Sequence, residues 1–259
     1  MKSPIFCVVL VLQALAHCVF AGNSVVNLSH YDLMRVDFGQ MSNQGIIGVI
    51  HEASYPRNVR DDKYFSRQEQ ATRAGLLWGA YHYANASDPV TQADFFLRTV
   101  SSAWSSASSR PPQVLLVLDL EQNRHYPGGT MRVNQAVAFA ERIKQRTGVY
   151  PGIYSGENRI RAILNGPGVS AAQGAVLRSC WLWVANYHYQ PRNVFPWARW
   201  TMWQYTGDGV CELPRNAYPK SIANIRNAER NIFVGGAGEL RTFWQEHGWT
   251  PGARESASE

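Results

Sequence analysis

Asp119 and Glu121 close the apolar run Val114-Leu115-Leu116-Val117-Leu118 with a two-residue spacing. Side chains alternate between the faces of a β-strand. The spacing therefore sets both carboxyls on one face, about 6.6 Å apart along the chain, where the strand leaves the core. One ionised carboxylate raises the pKa of its neighbour, and a carboxyl that keeps its proton near neutral pH can protonate a leaving group. General acid catalysis is thus the chemistry open to this doublet. A strand-end carboxylate can equally cap a following turn, so the doublet takes its meaning from its surroundings.

Those surroundings are short apolar runs alternating with helical patterns, the signature of βα units around a parallel sheet. Strands are predicted at 25–28, 46–51, 76–83, 114–120, 152–155, 180–186 and 201–205, close to the eight of a closed barrel. Ser66 with Glu69 three residues on reads as a capping box, with Gly75 as the stop. Asp88 before Pro89 reads as an N-cap, with Val90, Ala93, Leu97 and Val100 forming an apolar face. A third helix is predicted over 130–147, closed by Gly148. The Ser-rich stretch 101–112 reads as an exposed loop and 246–259 as a polar, mobile tail.

Lys2, an apolar stretch to Phe20 and the small-residue pattern Val19-Phe20-Ala21 mark residues 1–21 as a secretory signal peptide. The expectation is a secreted or periplasmic monomer with one barrel domain over 22–245 and no membrane attachment after cleavage. Loss of Lys2 takes the formal net charge from +6 to +5. A basic exported protein suits anionic surfaces such as cell-wall polymers. No dense Lys/Arg run or zinc-finger spacing points to nucleic acid. Cys7 and Cys18 leave with the signal, so Cys180 and Cys211 are expected to form a disulfide worth about 3–4 kcal/mol, two free thiols being the alternative. No His/Cys/carboxylate trio has metal-ligand spacing. No metal or cofactor is expected, and His51 and His82 read as satisfied core or rim histidines.

In a parallel barrel, ligands meet the C-terminal ends of the strands. Those ends carry Asn27, Ser29 and His30; His51 and Glu52; Tyr81, His82 and Tyr83; Asp119 and Glu121; Tyr154; Trp183, Asn186 and Tyr187; and Trp203, Gln204 and Tyr205. Aromatic platforms among carboxylates and amides suit a sugar, whose C–H faces stack on rings while its hydroxyls take directional hydrogen bonds. The competing reading is that these large side chains simply fill the barrel.

Six ordered runs carry a resemblance: Val25-Val26-Asn27-Leu28-Ser29-His30-Tyr31; Gly75-Leu76-Leu77-Trp78-Gly79-Ala80-Tyr81-His82-Tyr83; Leu118-Asp119-Leu120-Glu121; Tyr150-Pro151-Gly152-Ile153-Tyr154-Ser155; Leu182-Trp183-Val184-Ala185-Asn186-Tyr187; and Trp203-Gln204-Tyr205-Thr206. In order, they resemble the motifs of glycoside hydrolase family 25, the muramidase-type lysozymes that cut peptidoglycan after N-acetylmuramic acid. The resemblance implies an irregular TIM-like (β/α) barrel with fewer helices than strands. It implies hydrolysis of the β-1,4 bond between N-acetylmuramic acid and N-acetylglucosamine in peptidoglycan glycan strands, without a metal. Glu121 resembles the general acid and Asp119 its partner carboxylate. Asn27, Tyr81, Tyr154, Trp183, Gln204 and Glu229 are the candidate substrate-binding residues.

Two positions depart from the family pattern. Asn27 stands where members carry Asp, and Glu229 stands where they carry a late Asp near the last strand. Asn is isosteric with Asp but holds no charge, which puts rate in question more than binding. A glycan-binding protein with weakened or lost turnover is therefore the rival reading. A chitinase-like enzyme also uses Asp-x-Glu on a barrel strand, but with aspartates at the preceding alternate positions, here Leu115 and Val117. Because Asp119 and Glu121 share one strand, they do not obviously flank both faces of a sugar. The expected mechanism is assistance by the substrate's 2-acetamido oxygen; the alternative is a water activated by Asp119, Glu229 or Asp32.

Overall fold

The computed structural model describes residues 23–164 and 168–252; the expected signal peptide lies outside the described residues. Nine strands occur among them: β1 Val25–Leu28, β2 Gly48–Tyr55, β3 Val59–Arg60, β4 Leu77–Tyr83, β5 Val114–Asp119, β6 Gly152–Gly156, β7 Leu182–Ala185, β8 Met202–Thr206 and β9 Glu229–Phe233. Eight of them close a ring in the order β1-β2-β4-β5-β6-β7-β8-β9, and β3 folds back on β2 as a hairpin. All neighbours in the ring are parallel except β9, which runs antiparallel to both β8 and β1. Among the described residues seven α-helices pack on it: α1 Phe38–Asn43, α2 Tyr64–Arg73, α3 Pro89–Ser106, α4 Val133–Thr147, α5 Glu157–Arg159, α6 Ala171–Ser179 and α7 Ala237–His247.

Strands such as β5 and β7 are buried on both faces, which is why they read as near-continuous apolar runs. Val25, Ile50, Leu115, Val117, Met202 and Phe233 fill the barrel interior, and Leu240, Phe243 and Trp244 of α7 join this inner cluster. Trp244 Nε1 donates to Trp78 O at 2.8 Å. Its ring lies so close to Gly48 that a Cβ there would come within 2.8 Å of it. The Gly48 and Trp244 contact puts α7 across the N-terminal end of β2, so the opposite end of the barrel is the open one.

Several local expectations are corrected. Helix α2 starts at Tyr64, before Ser66, whose hydroxyl donates to Lys63 O at 3.1 Å, while Glu69 pairs with Arg73 and Ser108 instead of closing a capping box. Asp88 does cap α3 through Thr91 N, but the helix continues to Ser106 because Val100 and Ala103 are buried; the loop before β5 is correspondingly short. Helix α4 begins at Val133, and Thr130 Oγ1 instead accepts from Asn123 N at 3.0 Å. The chain stays on the barrel past residue 245: α7 runs to His247, and Trp249 exchanges backbone hydrogen bonds with Val114. Cys180 and Cys211 are free thiols, not a disulfide. Cys180 ends α6 inside the outer core and Cys211 packs against that core, each as a small apolar side chain.

Candidate active site

At the open end, β5 delivers the doublet. Leu120 N donates to Tyr154 O at 2.9 Å, and Leu120 O accepts from Ser155 Oγ at 2.8 Å and Arg159 Nε at 3.1 Å. The peptide between the two acids is thus tied to β6 and to α5, and both carboxyls face one cleft. Asp119 is 6 % exposed, and its Oδ1 is buried without a hydrogen-bond partner among the described residues. Burial, then the charges of Glu121, Glu52 and Glu229, push the Asp119 carboxyl well above its ordinary range against the opposing pull of Arg159. Burial and then Asp208 raise Glu121, again opposed by Arg159. The doublet is built to hold a proton.

One connected hydrogen-bond network forms the floor. Tyr154 OH and Tyr187 OH both donate to Gln204 Oε1, at 2.6 and 2.9 Å. Gln204 Nε2 donates to Asn27 Oδ1 at 3.1 Å and to Glu229 Oε2 at 3.3 Å. Asn231 Nδ2 donates to Asn27 Oδ1 at 2.9 Å, Trp183 Nε1 donates to Asn231 Oδ1 at 2.8 Å, and Asn27 Nδ2 donates to Glu229 Oε2. The oxygen of Asn27 meets two amide donors and its nitrogen meets a carboxyl, so an amide is the group this position fits. Burial first, then Asp32 and Asp208, push the Glu229 carboxyl up to about 8, with the Asn27 hydrogen bond opposing.

The candidate residues therefore converge, but in two tiers. Tyr81, Tyr154, Trp183, Asn27 and Glu229 line the cleft with the doublet. Gln204, 1 % exposed, lies beneath and holds the others in place. Asp32 belongs to neither tier, since its carboxylate accepts from Ser29 N at 2.8 Å and caps the turn after β1. His51 and His82 are buried and lowered by burial to about 3 and about 4. His82 is satisfied by Ser54 and Gln92, and His51 by Glu52 O and Arg67.

Sequence reasoning missed Asn231 and, in the outer wall, Tyr55 and Tyr126. Asn231 lies two residues after Glu229, so strand alternation alone puts both on one face. The wall is aromatic: Tyr126 stacks on Tyr55 at 5.1 Å and meets the edge of Tyr83 at 5.4 Å, with Tyr31 67 % exposed beside it. Tyr126 follows no strand, which is why strand-end logic passed over it. Exposed rings facing buried acids can stack a pyranose and place its glycosidic oxygen at Glu121.

Residues 26–212 match the profile of the family described as Glycosyl hydrolases family 25. Lysozyme M1 of Streptomyces globisporus is 27 % identical over 223 residues, covering 79 % of this chain and 70 % of that protein. A bacterial lysozyme from Streptomyces coelicolor shares the fold with a TM-score of 0.66 at 24 % identity, over 87 % of this chain and 98 % of that one. A family GH25 lysozyme from Aspergillus fumigatus does so with a TM-score of 0.62 at 25 % identity, over 85 % and 97 %.

Proposed function

The chain belongs to glycosyl hydrolases family 25 and is a glycoside hydrolase, and from that premise we propose that it is an exported muramidase. It hydrolyses the β-1,4 bond between N-acetylmuramic acid and N-acetylglucosamine in peptidoglycan, with Glu121 as general acid and Asp119 as its partner. The observation that carries this reading is the orphaned, buried Oδ1 of Asp119 beside Glu121 in an aromatic cleft.

A buried acceptor without a donor is costly, and a ligand N–H removes the cost. The acetamido N–H of a bound sugar supplies that donor. Accepting it favours the ionised form of Asp119 and leaves the shared proton on Glu121. The acetamido oxygen then bonds to the anomeric carbon as the glycosidic C–O bond breaks, and the leaving oxygen takes the Glu121 proton. Water opens the cyclic intermediate, returning a proton to Glu121 and restoring the acetamido group with net retention. Glu229, held protonated near neutral pH, is a poor base for the inverting alternative.

The departure at Asn27 does not by itself argue for lost turnover, because its amide is spent on the floor network. Incubation of the protein with peptidoglycan, with mass spectrometry of the fragments, tests the reading. New muramic acid reducing ends support it; binding without new reducing ends supports the glycan-binding rival. An initially inverted product anomer by NMR rules out substrate assistance.

A further inference from the structure

His30 follows β1, Glu52 lies on β2 and Asp61 follows β3, so no local spacing announces them as a group. The fold brings one ligand-type atom of each within 4.8 Å of the others. His30 Nδ1 lies 2.5 Å from Glu52 Oε2 and 3.5 Å from Asp61 Oδ2. The Asp61 side chain is fully buried; its Oδ1 accepts from Lys63 N at 2.8 Å, while its Oδ2 has no hydrogen-bond partner and points into the cluster.

The neighbouring cations do not neutralise these acids through hydrogen bonds. Lys63 Nζ donates to His30 O and Asp32 O. Arg67 spends its guanidinium on Ser29 O, Asp32 O, Met34 O and His51 Nε2. His51 receives that Arg67 donor on Nε2, so its proton sits on Nδ1 and is given to Glu52 O at 2.7 Å. The two buried carboxyls are left with His30 and with each other as near side-chain partners, and His51 Nδ1 stands 3.9 Å from Asp61 Oδ2. Buried charge of this kind is normally paired or bound to a metal.

We propose that His30 Nδ1, Glu52 Oε2 and Asp61 Oδ2 bind a borderline divalent cation of the Zn2+ class, with water completing the coordination. Imidazole nitrogen and carboxylate oxygen are both ligand types for such an ion, and three protein ligands leave a position for water, whereas Ca2+ wants six or more oxygens. The 3.5 Å separation of His30 and Asp61 matches the edge of a tetrahedral zinc site, about 3.3 Å for ligands near 2.0 Å from the metal. The 2.5 Å contact of His30 and Glu52 is a hydrogen bond that opens as the ion replaces the shared proton. His30 is 23 % exposed and stacks between Tyr31 and Tyr55, which gives an entry path at the cleft rim. The ion sits in the wall of the cleft and touches neither Asp119 nor Glu121, although it offsets the Glu52 charge that helps to raise Asp119. The site does not depend on the hydrolytic reading.

Titration of the purified, metal-stripped protein with Zn2+ against a chromophoric chelator tests it, with Ca2+ as the comparison. The expected result is one equivalent bound with a dissociation constant below about 10 μM, weakened at least about tenfold in Asp61→Asn and in His30→Gln. Thermal melts establish that each variant is folded; Glu52→Gln replaces either one that is not. No binding below about 1 mM overturns the proposal. So does undiminished affinity in a folded variant, which would place the ion elsewhere, as at the exposed His188–Glu212 pair. Tighter binding of Ca2+ than of Zn2+ at the same residues overturns the assigned class.

Discussion

Glu229→Gln isolates one buried charge and reports whether the cleft floor is ionised. The Glu229 carboxyl titrates at about 8 in the fold, against an ordinary value of 4.5. Between those values the folded protein keeps a proton that the unfolded chain has released. Stability therefore falls as pH rises from 4.5 to 8 and is level beyond. At 1.36 kcal/mol per unit, a shift of about 3.5 units is worth about 5 kcal/mol in the limit, of which about 3.5 falls between pH 5 and 8. Relaxation and water entry reduce this to about 2–3 kcal/mol. Gln keeps an acceptor for Asn27 and Gln204, and any change in its contact with the Asp208 backbone does not vary with pH. The difference in slope is therefore the quantity to read. Asp119, Glu52 and Asp61 are common to both proteins and largely cancel. Melting curves at pH 5 and 8 should show the variant gaining on the parent by about 5–10 °C across that interval, at about 2–4 °C per kcal/mol. Parallel pH dependences would mean that Glu229 titrates alike folded and unfolded, and would return it to contention as a base. Cleavage by the variant should stay within about tenfold of the parent, because a general base is worth about 10²–10⁴ and Glu229 does not act as one.

Asp119→Asn should lower kcat by about a hundredfold or more while fragment affinity changes little, read as a split between kcat and KM; weakened affinity with kcat unchanged would make Asp119 a binding residue only. Asn27→Asp sets a second carboxyl against Glu229 and should leave cleavage unchanged or reduced, with a lower melting temperature. A tenfold or greater gain in rate would instead favour a chain disabled at position 27. Gly152→Ala puts a Cβ 2.4 Å from the Trp181 ring and should destabilise by about 1–3 kcal/mol, seen in thermal melts, with unaltered activity per folded molecule; an unchanged melting temperature contradicts the packing described.

The barrel was legible in the sequence because strands buried on both faces must read as apolar runs, and the doublet because two acids end one such run. Strand β9 was harder to see. Glu229, Arg230 and Asn231 are polar; Glu229 and Asn231 find side-chain partners in Asn27, Gln204 and Trp183, and Arg230 bonds the carbonyls of Ser221 and Asn23, partners that no local pattern names. Helix α7 was hidden for the opposite reason: its apolar residues Leu240, Phe243 and Trp244 cover a barrel end that exists only once the ring has closed. The disulfide expectation rested on compartment and count, and geometry decides such pairings. The cluster of His30, Glu52 and Asp61 could not be read at all, because three separate segments supply it.

The most direct test of the central claim compares the parent protein with Glu121→Gln on purified peptidoglycan, counting new muramic acid reducing ends by mass spectrometry after matching the two by thermal melt. Abundant ends are expected from the parent and at least about a hundredfold fewer from the variant at equal fold content. Cleavage by Glu121→Gln at a rate close to the parent's, or ends formed at glucosamine instead, would contradict that claim.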